Sequence, residues 1–182
     1  MRRTVHPVAI FCFLSILILC VTPIAIRAET FRNIPYVDVY FSPRGGCTGA
    51  IAAEIDKARS EIMVQAYSFT SVVIAKALIN AHRRGVKVMA ILDKSQRSRQ
   101  YTSAAFLTHA GIPVYIDSDH AIAHNKIMIV DRNTVITGSF NFTKAAEEKN
   151  AENLQVIRSE DVAKLYLKNF DWHLAHSNRY QQ

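Results

Sequence analysis

From Tyr36 onward, apolar residues recur at two alternating spacings. "YVDVYF", rich in valine and aromatic residues, reads as a strand. "TGAIAAEIDKA" repeats its apolar residues every three or four positions, which predicts a helix with Thr48 as its N-cap. The alternation then continues through a strand "EIMVQAYSF", a helix "SVVIAKALINAHRRG" from Ser71 to Gly85, and a strand "VKVMAILD". "SAAFLTHAG" reads as a short helix and "PVYID" as another strand. "KIMIVD" and "TVITGS" flank a turn around Arg132 and Asn133 and predict a hairpin. "NLQVIRS" is the last strand, and "EDVAKLYLKNFDWHLAHS" is a C-terminal helix capped by Ser159. Strands alternating with helices predict an α/β domain whose mixed sheet has helices on both faces.

The first 28 residues follow a different rule. "MRRTVHP" is basic, Val8 to Val21 is apolar except for Ser15, Pro23 breaks the run, and "IAIRA" ends on the small Ala28. That order is expected of a secretory signal peptide over residues 1–28, with a domain over 29–182. A retained anchor is the alternative, because Val8 to Ile26 approaches the length of a membrane span. A periplasmic or secreted location, without stable membrane association, follows if the leader is cleaved.

Cys12 and Cys20 fall in the leader, so the mature chain would keep only Cys47 and could form no internal disulfide. Removing Arg2, Arg3 and Arg27 leaves 19 basic against 15 acidic residues, a mild excess. It is concentrated: "HRRGVK" and "DKSQRSR" hold Arg83, Arg84, Lys87, Lys94, Arg97 and Arg99. Arg83 and Arg84 suit a helix C-terminus. Lys94, Arg97 and Arg99 have no such reason to cluster, and they point to a polyanion.

"HNKIMIVD" (124–131) carries the chemistry. Strand side chains alternate faces, so His124 and Lys126 point one way and Ile127, Ile129 and Asp131 the other. A return strand in phase would add Ser139 and Asn141. Lysine, hydroxyl and amide beside an imidazole can hold an anionic tetrahedral group without a metal. On spacing alone, a core histidine with a lysine at a strand end explains the pattern equally well.

"HNKIMIVD" followed by "GSFN", with Glu152 in "NAEN", resembles the HxKxxxxD…GSxN signature of the phospholipase D superfamily. The size, single motif and leader are similar to its small bacterial Nuc-type endonucleases. The resemblance implies a phospholipase D-like fold and a phosphodiesterase without cofactor or catalytic metal. It implies His124 as the nucleophile that forms a phosphohistidine, with Lys126 and Asn141 on the phosphate oxygens and Ser139 beside them. Glu152 would bond the other ring nitrogen of His124, and Asp131 would be structural. The reaction needs two histidines, and one motif supplies one, so a homodimer sharing its site is implied. Nucleic acid, DNA and possibly RNA, is the expected substrate, with Lys144 as a further contact beside the basic loop. A phospholipase D-type lipid hydrolase and a non-catalytic nucleic-acid-binding envelope protein are the alternatives.

Other clusters have plainer readings. His120 and His124 with Asp117 and Asp119 could suggest a metal site, but loop spacing of this kind is common. His173 and His176, beside Trp172, read as surface and packing residues of the last helix rather than ligands. "GGCTG" reads as turn and cap rather than a phosphate cradle, since it lacks the lysine of a P-loop.

Overall fold

The computed structural model describes residues 28–97 and 103–181. Most of the leader and Arg99 therefore lie outside the described residues. Among the described residues, no helix is long and apolar enough to cross a membrane.

Eight strands form one sheet: β1 (Tyr36–Ser42), β2 (Glu61–Ala66), β3 (Lys87–Asp93), β4 (Val114–Asp117), β5 (Lys126–Val130), β6 (Thr134–Gly138), β7 (Glu152–Arg158) and β8 (Asn178–Arg179). Their spatial order is β1-β7-β6-β5-β2-β3-β4-β8. Only β2–β3 and β3–β4 are parallel pairs; the others run antiparallel. Helices α1 (Cys47–Lys57), α2 (Val72–Arg83) and α3 (Ser103–His109) cover one face, packing Ile51, Ile55, Ile74, Leu78 and Leu107 against Ile62, Val64, Met128 and Ile136. Helix α5 (Glu160–His176) covers the other, setting Val162, Ala163 and Phe170 on Met63, Ile91, Ile127 and Ile129. Covered on both faces, β2 and β5 are buried at every residue, which is why both are mostly apolar, with Glu61, Gln65 and Lys126 at or near the strand ends. The mixed sheet with helices on both faces is as the sequence predicts.

Local details differ from the sequence reading. Helix α1 begins at Cys47 behind Gly46, which is left-handed (φ 83°) and offers no side-chain cap. Its first amides find an acceptor elsewhere: Gly46 N and Thr48 N donate to the Glu147 carboxylate at 3.1 and 2.7 Å. Glu147 belongs to α4 (Lys144–Glu148), a short helix the pattern does not reveal, capped by Thr143. A carboxylate at a helix start is favoured by the dipole whatever its position in the chain. Cys47 is free and buried, and burial, then the nearby Glu147, pushes its thiol up from the ordinary value.

The hairpin turn sits one residue earlier than expected, with Asp131 and Arg132 both at positive φ (49° and 58°). Aspartate tolerates this conformation because its side chain can bond locally. Here the carboxylate reaches across to the start of β2, accepting from Arg59 N (2.9 Å), Ser60 N and Oγ (both 2.8 Å) and Glu61 N (3.1 Å). Burial pushes its pKa up, but these donors outweigh burial and leave it below the ordinary carboxylate value. A depressed folded pKa means stability that is complete above the unfolded value near 4 and lost as pH falls through the folded one. Asp131→Asn should cost about 1–2 kcal/mol at pH 7, a fall in Tm of about 3–6 °C. The gap between variant and wild type should close below about pH 4. Thermal melts across pH check this; a gap that persisted undiminished in strong acid would contradict the clamp.

Candidate active site

The strand order brings one end of seven strands together. Because β5 runs antiparallel to β2 and β6 antiparallel to β5, the N-terminus of β5 lies beside the C-termini of β2 and β6. The N-terminus of β7 and the C-termini of β1, β3 and β4 fall at the same end. His124 and Lys126, Ser139 and Asn141, Glu152 and Lys94 are thereby gathered at one end of the sheet. Asp131 is at the opposite end of β5. It faces away because it lies beyond the far end of that strand, a stronger reason than the alternation of faces.

His124 is exposed in the loop before β5, and its ring lies against Tyr67, centroids 4.5 Å apart. Lys126 is only 6% exposed; its Nζ donates to the His124 carbonyl at 3.0 Å and stands 5.1 Å from the Tyr67 ring centre. Burial pushes the Lys126 pKa down, and the Glu152 carboxylate acts against that. A desolvated ammonium with one neutral acceptor has capacity left for an anion. Tyr67 follows β2 with no sequence signal of its own. It shares the wall of the site only because Tyr67 N bonds the Asn125 carbonyl (2.8 Å) and holds the two segments together.

The "GSFN" segment is fixed by β7. Asn153 O accepts from the amides of Ser139 (3.1 Å) and Phe140 (3.2 Å), while Ser139 Oγ accepts from Asn153 N (3.1 Å) and Nδ2 (3.3 Å). Ser139 thus locks the corner and keeps its own proton to donate. Gly138 is required there: at φ 146°, a Cβ would collide with the Asn153 carbonyl oxygen. Asn141 Oδ1 is buried without a hydrogen-bond partner, an unmet demand at the centre of the gathered strand ends.

Other expected residues behave differently. Glu152 Oε1 accepts from Asn150 Nδ2 (3.1 Å), and its amide bonds Ser42 Oγ (3.2 Å). Among the described residues, no hydrogen bond joins Glu152 to His124 within the chain. Lys94 is exposed but donates to the His120 carbonyl at 2.9 Å, bracing the loop that carries His124. Arg97 is exposed at the same end, and Lys144 pairs with Glu148 at 3.5 Å on the surface.

His173 and His176 require a correction. They are not simply surface and packing residues: His173 is buried, and both rings converge with His120 on Asp117. His124 is not part of this group. The sequence divides the four residues between a loop and a distant helix. The two-residue strand β8, paired to β4, swings the end of α5 over Asp117.

Comparison with known proteins places this geometry. The family described as "Cardiolipin synthase, PLD-like domain" matches residues 51–174. "Phospholipase D" of Rickettsia conorii is 47% identical over 134 residues, 74% of this chain and 67% of that protein. Among solved structures, the phospholipase D family member Nuc from Salmonella typhimurium is 39% identical with a TM-score of 0.77, covering 81% of this chain and 99% of that one. NucT from Helicobacter pylori shares the fold at TM-score 0.75 and 22% identity, covering 80% of this chain and 99% of that one. With a family match across most of the described chain and the same fold in a relative this similar, the chain belongs to the phospholipase D superfamily.

Proposed function

We propose that the protein is a metal-independent phosphodiesterase that cleaves nucleic acid through a phosphohistidine at His124, working as a homodimer. One observation carries this reading: exposed His124, desolvated Lys126, the unmet amide of Asn141 and the Glu152 carboxylate share one end of the sheet. In the proposed reaction neutral His124 attacks phosphorus, forming the P–N bond while the P–O bond to one ester oxygen breaks. Protonated His124 of a second copy gives its proton to that oxygen, then takes one from the water that hydrolyses the intermediate. Lys126 Nζ neutralises the nonbridging oxygens. Asn141, with its amide turned so that Nδ2 replaces Oδ1, donates to them as well. Ser139 has its hydroxyl proton available beside them.

Several features support the rest of the proposal. Tyr36, Val39 and Phe41 on edge strand β1 are exposed, at 68, 50 and 66%, and offer apolar surface to a second copy. Strand β1 ends at Ser42, which bonds Glu152, so a partner seated there would lie next to the site. In that assembly Glu152 would exchange Asn150 for a histidine ring nitrogen. Lys94, Arg97 and Arg99, with Lys144, would grip the polyanion. We extend the proposal to export, to the periplasm or beyond, by the leader. A lipid phosphodiester is the second reading. Ile122, 57% exposed two residues before His124, is the apolar rim such a substrate would use.

Purified protein should therefore cleave DNA or RNA in EDTA, with phosphatidylcholine left intact and His124→Ala inactive. Release of the lipid head group with nucleic acid untouched would select the second reading. Dependence of turnover on added magnesium would remove the phosphohistidine mechanism.

Glu152→Gln should keep the wild-type melting temperature while lowering turnover about 10-fold or more, because an amide stabilises an imidazolium less than a carboxylate does. A variant with unchanged turnover would mean that Glu152 only holds Asn150.

Equal amounts of wild type and His124→Ala, refolded together, should pair at random, about one quarter of dimers keeping both histidines. Activity per total protein should fall to about a quarter of wild type if both histidines serve one phosphate, against about a half if each subunit is complete. Size-exclusion chromatography establishes the dimer and the exchange first.

A further inference from the structure

Asp117 closes β4 and is fully buried, yet its carboxylate is the meeting point of three imidazoles. His173 Nδ1 lies 2.8 Å from Oδ2, and His176 Nε2 lies 3.4 Å from it. His120 Nδ1 is 3.0 Å from both oxygens. The three ring centroids stand 5.0, 5.3 and 5.3 Å from one another, so the rings are nearly equidistant. Trp172 packs edge-on against all three.

Two chemistries fit such a convergence, a hydrogen-bond hub and a bound cation. As a hub, the carboxylate would accept from three ring N–H groups and from the Asp119 amide at 3.2 Å, which uses all four of its lone-pair sites. His176, 3.4 Å from the oxygen that His173 already holds at 2.8 Å, would be bonded only weakly. A divalent cation reverses the demand, because each imidazole then donates a lone pair and the carboxylate needs only one. Four ligands at about 2.0–2.1 Å around a tetrahedral ion stand about 3.3 Å apart. The carboxylate–nitrogen separations of 2.8–3.4 Å bracket that edge, and all four ligand atoms lie within 4.8 Å of one another.

We propose that Asp117, His120, His173 and His176 form a structural, four-coordinate site for a divalent transition metal, with zinc the first choice. Three imidazoles and one carboxylate suit zinc, cobalt or nickel, whereas calcium and magnesium ask for oxygen. Asp117-x-x-His120 comes from the turn after β4, and His173-x-x-His176 from one face of the last turn of α5. All four positions are filled by protein, which marks a structural rather than a catalytic ion. The ion would staple α5 to the loop that ends at His124. That loop is also held by Lys94 on the His120 carbonyl and by the Ala123 amide on Asp93 Oδ2 at 2.8 Å.

The test uses the full chain without a polyhistidine tag. Protein dialysed against metal-free buffer should retain about one zinc per chain by mass spectrometry. Chelator-stripped protein titrated with cobalt(II) should develop the visible absorption of a tetrahedral ion. Zinc at a hundredfold excess over Kd should raise Tm by about 5–10 °C. His176→Ala should abolish all three responses, and His176→Cys, which restores a ligand, should recover them with an added thiolate-to-cobalt band. If His176→Ala fails to fold, the wild-type titration and the cysteine variant still decide the matter. A wild-type chain that takes up no zinc or cobalt, and melts at the same temperature with and without zinc, would overturn the site. So would an octahedral cobalt spectrum. These readouts are metal content, spectrum and Tm, so they are independent of whether the protein cleaves nucleic acid. Stripping the ion should lower Tm yet leave turnover intact below the melting temperature of the stripped protein.

Discussion

The antiparallel ladder between β2 and β5 is the constraint on which the rest of the structure depends. It pairs Ala66 with Lys126 and Ile62 with Val130, and both strands are buried on both faces. A slip of one residue would turn Lys126 into the layer under α5 and would leave its charge without an outlet. In the register observed, the ammonium reaches the His124 carbonyl and the face of Tyr67 at the rim of the sheet. Asp131 secures the other end of the same ladder by binding the amides that begin β2. The lysine and aspartate of one motif therefore share a mechanical task at the two ends of one ladder.

That arrangement separates a stabilising clamp from the candidate active site along a single strand. At the far end, a carboxylate holds four donors and its pKa is low because of them. At the near end, the cation is buried with few partners, a costly state that an arriving phosphate would relieve. The unpartnered Asn141 Oδ1 lies at the same end as this cation, and the support lies around them. Asn153 fixes the "GSFN" corner, Ser42 fixes Glu152, and Lys94 fixes the loop before His124. Each of these supporting residues limits where a side chain of the candidate site can go.

Neighbouring strand ends also explain how a second polar centre can exist close by without belonging to the first. Asp117 and Asp93 are register partners at the ends of β4 and β3. Asp93 turns to the Ala123 amide, and Asp117 to the histidines of α5. The loop between the two centres, from Ser118 to Asn125, is thus tied at both ends. Its first half answers to the Asp117 cluster and its second half to the candidate active site.

The sequence by itself determined the α/β alternation, the seven longer strands, the four longer helices and the motif at 124–141, because each depends on local periodicity or fixed spacing. Burial on both faces makes β2 and β5 mostly apolar, and one-sided burial makes α2 and α5 amphipathic; these patterns are written in neighbouring residues. What only the tertiary structure decided depends on contacts between residues far apart in the chain. Glu147 caps α1 in place of Thr48, Tyr67 walls the site, and Asp131 faces away because it lies at the opposite strand end. His173 and His176 met Asp117 because β8, a strand of two residues with no pattern to read, docks on β4 and carries α5 with it. Periodicity records which face of an element is buried, but not which distant residue it is buried against, and polar partnerships are set by the latter.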